Sequence, residues 1–284
     1  MTERPFPHPT DDRLLGLRVV ADDPTVVRFT LEPKLCRGDG ALFGGTALAA
    51  AMACFELAAS RPSLWATVQF IGIATQGEEL ECRVDVVARG NHVDQLQLTA
   101  TVGERLVFSA VGSTATRRAD GIHGQARTMP AVVSPDACDS IPMGPPSESE
   151  PAGHHLVSEF REVVPIDGAT PGQLVMWARL TGEVETSAAK LAFLADMVPI
   201  AICRAAGVQG AGTSLDNSLR VGRLVDTEWI LVELEAHGAS GGYGYGISHM
   251  WAPDGTLMAT GSQSAKLFSF DTFRQRLSAR AGGS

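Results

Sequence analysis

The chain has 284 residues, 44% hydrophobic and 19% charged, a composition that suits a soluble globular enzyme or binding protein with a sizeable core. With 23 Lys and Arg against 32 Asp and Glu, its net charge is −9, which argues against nucleic acid or an anionic membrane surface as the main partner. No apolar run approaches the roughly 18 residues of a membrane span, and the polar start MTERPFPHPTDDRLL has no signal-peptide core, so a reducing cytoplasm is the expected compartment.

The first strand-like piece is TVVRFTLEP, residues 25–33. FGGTALAAAMACFELAA, residues 43–59, then reads as a helix that is apolar nearly all round and needs burial on most faces. Residues 66–116 alternate with period 2 between Gly and polar turns, as in ECRVDVVARG and LVFSAVGSTAT, which predicts an antiparallel meander. A stretch rich in Pro, Ser and Gly, MPAVVSPDACDSIPMGPPSESE, reads as an extended linker.

The same order then repeats. QLVMWARLT is a strand and LADMVPIAICRAAG, residues 194–207, a helix; TSLDNSLRV, WILVELEAHG and LMATGSQSAKLF are further strands. A curved antiparallel sheet around each helix satisfies both patterns. The prediction is an α+β tandem hotdog, two antiparallel sheets each wrapping a central helix. Its expected parts are a hotdog at 1–117, a linker at 118–150 and a second hotdog at 151–284. SGGYGYG at 240–246 follows a strand into another strand, so it is read as a bulge or hairpin turn and not as a phosphate loop.

The two copies differ where polarity matters. In LAFLADMVPIAIC, residues 191–203, Asp196 is the one charge in an apolar stretch, and a lone buried carboxylate is costly unless paired, protonated or used. Aligning the halves by eye sets Asp196 against Gly45, Gln263 against Gly112 and Ser214 against Thr67. The second half is therefore expected to carry one site per chain. Each residue also has an ordinary reading. Asp196 suits a helix N-cap, Ser214 a strand hydroxyl, Gln263 a solvent-facing position, and Gly44–Gly45 tight helix–sheet packing.

The chain resembles the double-hotdog acyl-CoA thioesterases, the acyl-CoA thioesterase II family of bacteria. The resemblance rests on FGG opening the first helix, LADMVPIA opening the second, TSLDNS on the next strand and DGTLMATGSQ near the end. It implies an Asp, a Thr and a Gln that together hold a hydrolytic water, falling here on Asp196, Ser214 and Gln263. Ser in place of Thr keeps the hydroxyl and loses the stiffening methyl group. Asn217 and Arg220 stand where the family often has a His and an aromatic, which bears on the acyl pocket more than on the reaction.

The implied chemistry is hydrolysis of an acyl-CoA thioester without a cofactor. Asp196 acts as general base, with its pKa raised by burial, and backbone N–H groups at Gly44 and Gly45 bind the oxyanion. A homodimer or higher oligomer is expected, because sheet edges stay exposed. Two other functions stay open: a non-catalytic acyl-CoA-binding protein, and a hotdog enoyl-thioester hydratase, which wants an Asp/His pair. No metal site is expected, since His154 and His155 lack a third ligand at useful spacing. The five Cys, at 36, 54, 82, 138 and 203, form no CxxC, and those at 54, 82 and 203 read as reduced core residues.

Overall fold

A strand such as ECRVDVVARG buries one face and leaves its backbone edges to be paired. The chain meets both needs with one continuous sheet. The computed structural model describes residues 14–141, 152–182 and 184–270. The first half contains β1 (Arg18–Val20), β2 (Asp23–Thr30), α1 (Gly44–Ala59), β3 (Ser63–Phe70), β4 (Glu79–Arg89), β5 (Val93–Val102) and β6 (Arg105–Ala115). After the short β7 (Ser140–Ile141), the second half contains β8 (Ser158–Glu162), β9 (Gln173–Leu180), α2 (Ala188–Leu194) and α3 (Val198–Ala205). It ends with β10 (Gly210–Val221), β11 (Ile230–Ser240), β12 (Tyr243–Trp251) and β13 (Leu257–Ser269).

The tandem hotdog is present, but its strands do not form the two sheets expected from the sequence. They make a single 13-stranded sheet in the order β1-β2-β4-β5-β6-β3-β10-β13-β12-β11-β9-β8-β7. The seam is the antiparallel pair β3–β10, running from Trp65 opposite Arg220 to Gln69 opposite Asp216. The reason is the edge strand: each half would otherwise expose a row of unpaired N–H and C=O groups, and each covers the edge of the other. All the residues of α1 are buried, which accounts for its apolar composition. α1 packs on the sheet and on α2, and one hydrophobic cluster runs through both halves.

The second helix departs from expectation. A single helix from residue 194 does not form; α2 stops at Leu194 and α3 starts at Val198. Pro199 explains the break, because its ring would clash with the carbonyl of Ala195 and it has no N–H to give. Asp196 therefore lies between two helices and does not open one, and the position before α3 is held by Met197.

The outer faces of the two halves also differ. In β5 the outward residues Gln95, Gln97 and Thr99 are exposed. In the second half Trp177, Trp229, Leu231 and Trp251 form a separate outer cluster, with Met129 and Val132 packed against it. Of the segment predicted as a linker, 118–150, residues 142–150 lie outside the described residues; the described part is bound to this face: Trp177 Nε1 donates to Val133 O at 2.9 Å, and Ile166 N–H donates to Ala131 O at 2.8 Å. SGGYGYG is a hairpin turn, with Gly241 and Gly242 at φ of 60° and 86° where a side chain would be strained. Cys54, Cys82 and Cys203 are buried and free. Among the described residues, no helix is long and apolar enough to cross a membrane.

Candidate active site

Asp196 is 9% exposed and gathers hydrogen bonds from both halves. Its Oδ1 accepts from Asn217 Nδ2 at 3.1 Å, from Ser214 Oγ at 3.2 Å and from Gln263 Nε2. Its Oδ2 accepts from the Gly45 N–H at 2.9 Å. Gln263 Nε2 also donates to Ser214 Oγ at 2.7 Å.

Local backbone structure explains the convergence. Asn217 and Gln263 are cross-strand partners on β10 and β13, so they share a face. Ser214 and Asn217 are three residues apart, which in a regular strand points them to opposite faces. The register shifts between Ser214 and Asp216, and this bulge turns Ser214 to the same side as Asn217. The broken helix leaves the Asp196 side chain free to reach them. From the other half, the first turn of α1 presents the Gly45 N–H to the carboxylate.

The two glycines are required by this approach. A Cβ on Gly44 would lie 2.5 Å from Asp196 Oδ2, and one on Gly45 would lie 2.3 Å from Phe193 O. The pair allows close packing, against α2 and Asp196 where a helix–sheet contact was the plain expectation, and Gly45, expected as an oxyanion donor, gives its N–H to the Asp196 carboxylate. The Gly45 donor is committed to Asp196. Among the described residues the Gly44 N–H makes no hydrogen bond. Phe43, the residue before it, stacks on His154 with ring centroids 4.4 Å apart, and burial pushes the His154 pKa down to about 4.

Burial drives the Asp196 pKa up, and the Gly45, Ser214 and Gln263 bonds and the charge of Arg37 draw it back, leaving it at about 6. The helix dipole of α1 acts in the same direction as those bonds. Gln263 is 2% exposed, and its Oε1 has no hydrogen-bond partner among the described residues. The arrangement is thus a buried, readily protonated carboxylate beside an unfilled amide acceptor.

The three polar residues singled out in the sequence are together, and Gly44 and Gly45 border them. Asn217 joins them as a fourth partner, which sequence reasoning noted only as a departure from the family pattern. Its signal lies in register: Ala66 pairs with Gly112 in the first half as Asn217 pairs with Gln263 in the second. Matching Gly112 to Gln263 thus brings Ala66 onto Asn217 and Thr67 onto Ser218. The by-eye match of Thr67 to Ser214 is therefore displaced along the strand: β3 and β10 carry a bulge at the same place, and the register sets Ser63 against Ser214.

Comparison with known proteins accords with this architecture. Residues 31–117 match the acyl-CoA thioesterase N-terminal domain and residues 135–267 match the acyl-CoA thioesterase C-terminal domain. A provisionally assigned thioesterase from Novosphingobium aromaticivorans is 30% identical, with a TM-score of 0.79 over 92% of this chain and 98% of that one. A hot dog protein from Alicyclobacillus acidocaldarius is 19% identical, with a TM-score of 0.75 over 93% and 99% of the two chains. The acyl-CoA thioesterase II TesB2 from Mycobacterium marinum is 18% identical, with a TM-score of 0.71 over 89% and 96%. No curated protein sequence matches the chain.

Proposed function

The chain belongs to the acyl-CoA thioesterase family and is an acyl-CoA thioester hydrolase, and we propose that a water held by Asp196 and Gln263 is its nucleophile. The observation that carries this reading is the buried carboxylate with the unpartnered Gln263 Oε1 beside it. A water that donates one hydrogen to Asp196 and the other to Gln263 Oε1 is left with a lone pair to aim at the thioester carbonyl. Ser214 is bonded on both sides, to Asp196 and to Gln263, and so acts by fixing the amide.

The reaction proceeds by addition and elimination. The water oxygen bonds to the carbonyl carbon as Asp196 takes its proton. The carbonyl oxygen becomes an oxyanion, and the Gly44 N–H at the start of α1 is the donor we assign to it. Collapse breaks the C–S bond, and the proton held by Asp196 passes to the departing sulfur of coenzyme A. The products are a carboxylic acid and free coenzyme A.

We also assign the hotdog units to residues 1–117 and 151–284, with 118–150 as the connection. Further assembly into a homodimer or higher oligomer is supported by the sheet edges at β1 and β7, and a reducing cytoplasm by the free cysteines.

The test is thiol release from a panel of acyl-CoA esters by the parent protein and by Asp196→Asn. The expected result is parent turnover and a loss of about 10²–10⁴-fold in kcat in the variant. Equal rates would remove Asp196 as the base. Saturable acyl-CoA binding by the parent with no thiol released would favour a binding protein.

A further inference from the structure

A second polar cluster lies on the opposite face of the sheet from Asp196. Along β11 the residues Ile230, Val232 and Leu234 belong to the core beneath the helices, while Leu231 belongs to the outer tryptophan cluster. Strand alternation puts Glu233 and Glu235 on the outer side with Leu231. His249 is the cross-strand partner of Glu233 on β12. The three residues offer ligand atoms that all lie within 4.8 Å of one another.

Two of these residues are deeply buried, Glu233 and His249 each at 3% exposure. Both oxygens of Glu233 are held in place. Gln173 Nε2 donates to Oε1 at 2.8 Å and Trp251 Nε1 donates to Oε2 at 3.3 Å. His249 Nδ1 is buried with no hydrogen-bond partner. It is aimed between the carboxylates, 3.9 Å from Glu233 Oε2 and 3.7 Å from Glu235 Oε1, too far for a hydrogen bond to either. Orphaned buried nitrogens are uncommon and costly, and this one faces the two carboxylates.

We propose that Glu233, Glu235 and His249 form a binding site for a divalent transition-metal ion of the zinc type, with His237 as a fourth ligand. A tetrahedral ion about 2.0–2.2 Å from each N or O ligand sets those atoms about 3.3–3.6 Å apart, and the two distances from His249 Nδ1 to the carboxylates, 3.9 Å and 3.7 Å, lie a few tenths of an ångström above that range. Imidazole nitrogens from His249 and His237 beside the two carboxylates make a mixed N/O set of four, which suits zinc or cobalt better than calcium, an ion that takes about six to eight oxygen ligands. The Gln173 and Trp251 bonds to Glu233 are the outer support that ligating carboxylates usually have. His237 is the extra residue of the bulge on β11, with Nε2 4.0 Å from Glu235 Oε2.

One cation is already at the cluster. Arg127, from the segment between the halves, sits 2.6 Å from Glu235 Oε1 and 3.6 Å from Glu233 Oε1. Its side chain is 44% exposed, and the neighbouring backbone is anchored separately through Gln125, which accepts from Leu257 N–H at 2.7 Å. Arg127 can therefore swing out without release of the segment, and the ion and the guanidinium compete for Glu235.

The site is tested on the full chain after chelator treatment. Calorimetric titration with Zn²⁺ should give one saturable site near about 1 μM, and Co²⁺ should show the intense visible bands of four-coordinate cobalt. His249→Ala and Glu235→Gln should each weaken binding about tenfold or more. Glu235 is partly exposed, so its variant keeps the test valid if the His249 variant does not fold. Arg127→Gln should tighten binding about two- to fivefold, the range of an exposed ion pair. The proposal is overturned if no saturable binding occurs below about 1 mM, or if neither ligand variant changes the affinity.

Discussion

Gly112 and Gln263 hold equivalent places in the two halves, yet their surroundings are opposite. Gln263 stands beside Asn217 and reaches Asp196. Gly112 stands beside Ala66, and a Cβ added there would lie 2.6 Å from Phe55 Cε2 and 2.5 Å from Trp65 O. The unbroken α1 lowers the fully buried Phe55 ring into the space that the broken α2–α3 pair leaves to polar groups. One scaffold is thus filled with an aromatic ring in one copy and with a carboxylate and two amides in the other. The first copy still takes part, because its helix start donates the Gly45 N–H to the carboxylate of the second. The duplication has separated roles without separating the site.

The comparison breaks most sharply at Gln263. Gln263→Ala is expected to lower kcat by about 10²–10³-fold, the effect of losing one preorganised group, with little change in KM. A kcat within twofold of the parent would mean that the amide does not hold the nucleophile. The reciprocal change, Gly112→Gln, tests the first half. It forces a long side chain against Phe55 and a backbone carbonyl, and overpacking of this kind costs about 3 kcal/mol. Thermal unfolding should shift down by about 6–10 °C, while turnover per folded molecule stays near that of the parent. An unchanged melting temperature would show that the first-half slot has room for a polar set.

Much of this was legible in the sequence because burial leaves a periodic trace. Alternation in ECRVDVVARG and WILVELEAHG marked strands that form where expected, and the nearly all-apolar α1 announced a helix covered on every side. Asp196 stood out by charge against its neighbours. What the sequence did not carry was long-range pairing. The β3–β10 seam joins strands about 150 residues apart with no local signal, so two sheets were expected where one forms. Pro199 was visible, but its consequence depended on where the preceding helix began. Asn217 and the Glu233–His249 pair become visible only once register is known, and the bulge at Ser214 shifts that register within the strand itself.

A titration sharpens the comparison further, since the loaded slot holds a group that ionises and the aromatic one does not. Burial raises the Asp196 pKa to about 6. The general base must be ionised, so kcat/KM should be half-maximal near pH 6, level off about one pH unit higher and approach a fall of about tenfold per pH unit on the acid side. Each donor to the carboxylate favours its charged form. Asn217→Ala removes one of them and should move the inflection upward while leaving its shape intact. A profile flat down to pH 5 in the parent would exclude a carboxylate of raised pKa as the base.

Ser214→Thr is the smallest change and the finest probe of how the loaded slot is held. The hydroxyl at this position donates to Asp196 and accepts from Gln263. Threonine offers the same two bonds, and its branched Cβ narrows the rotamers that a serine on a bulged strand can visit. The bond to Asp196 is long, at 3.2 Å, so stiffening has something to improve. The expected result is kcat within about threefold of the parent, in the direction of an increase, with Ser214→Ala lower than both. A tenfold loss on Ser214→Thr would mean that the bulge leaves no space for the methyl group. Serine would then be the residue demanded by this backbone, and the broken helix and the bulged strand would have to be understood as one fitted pair.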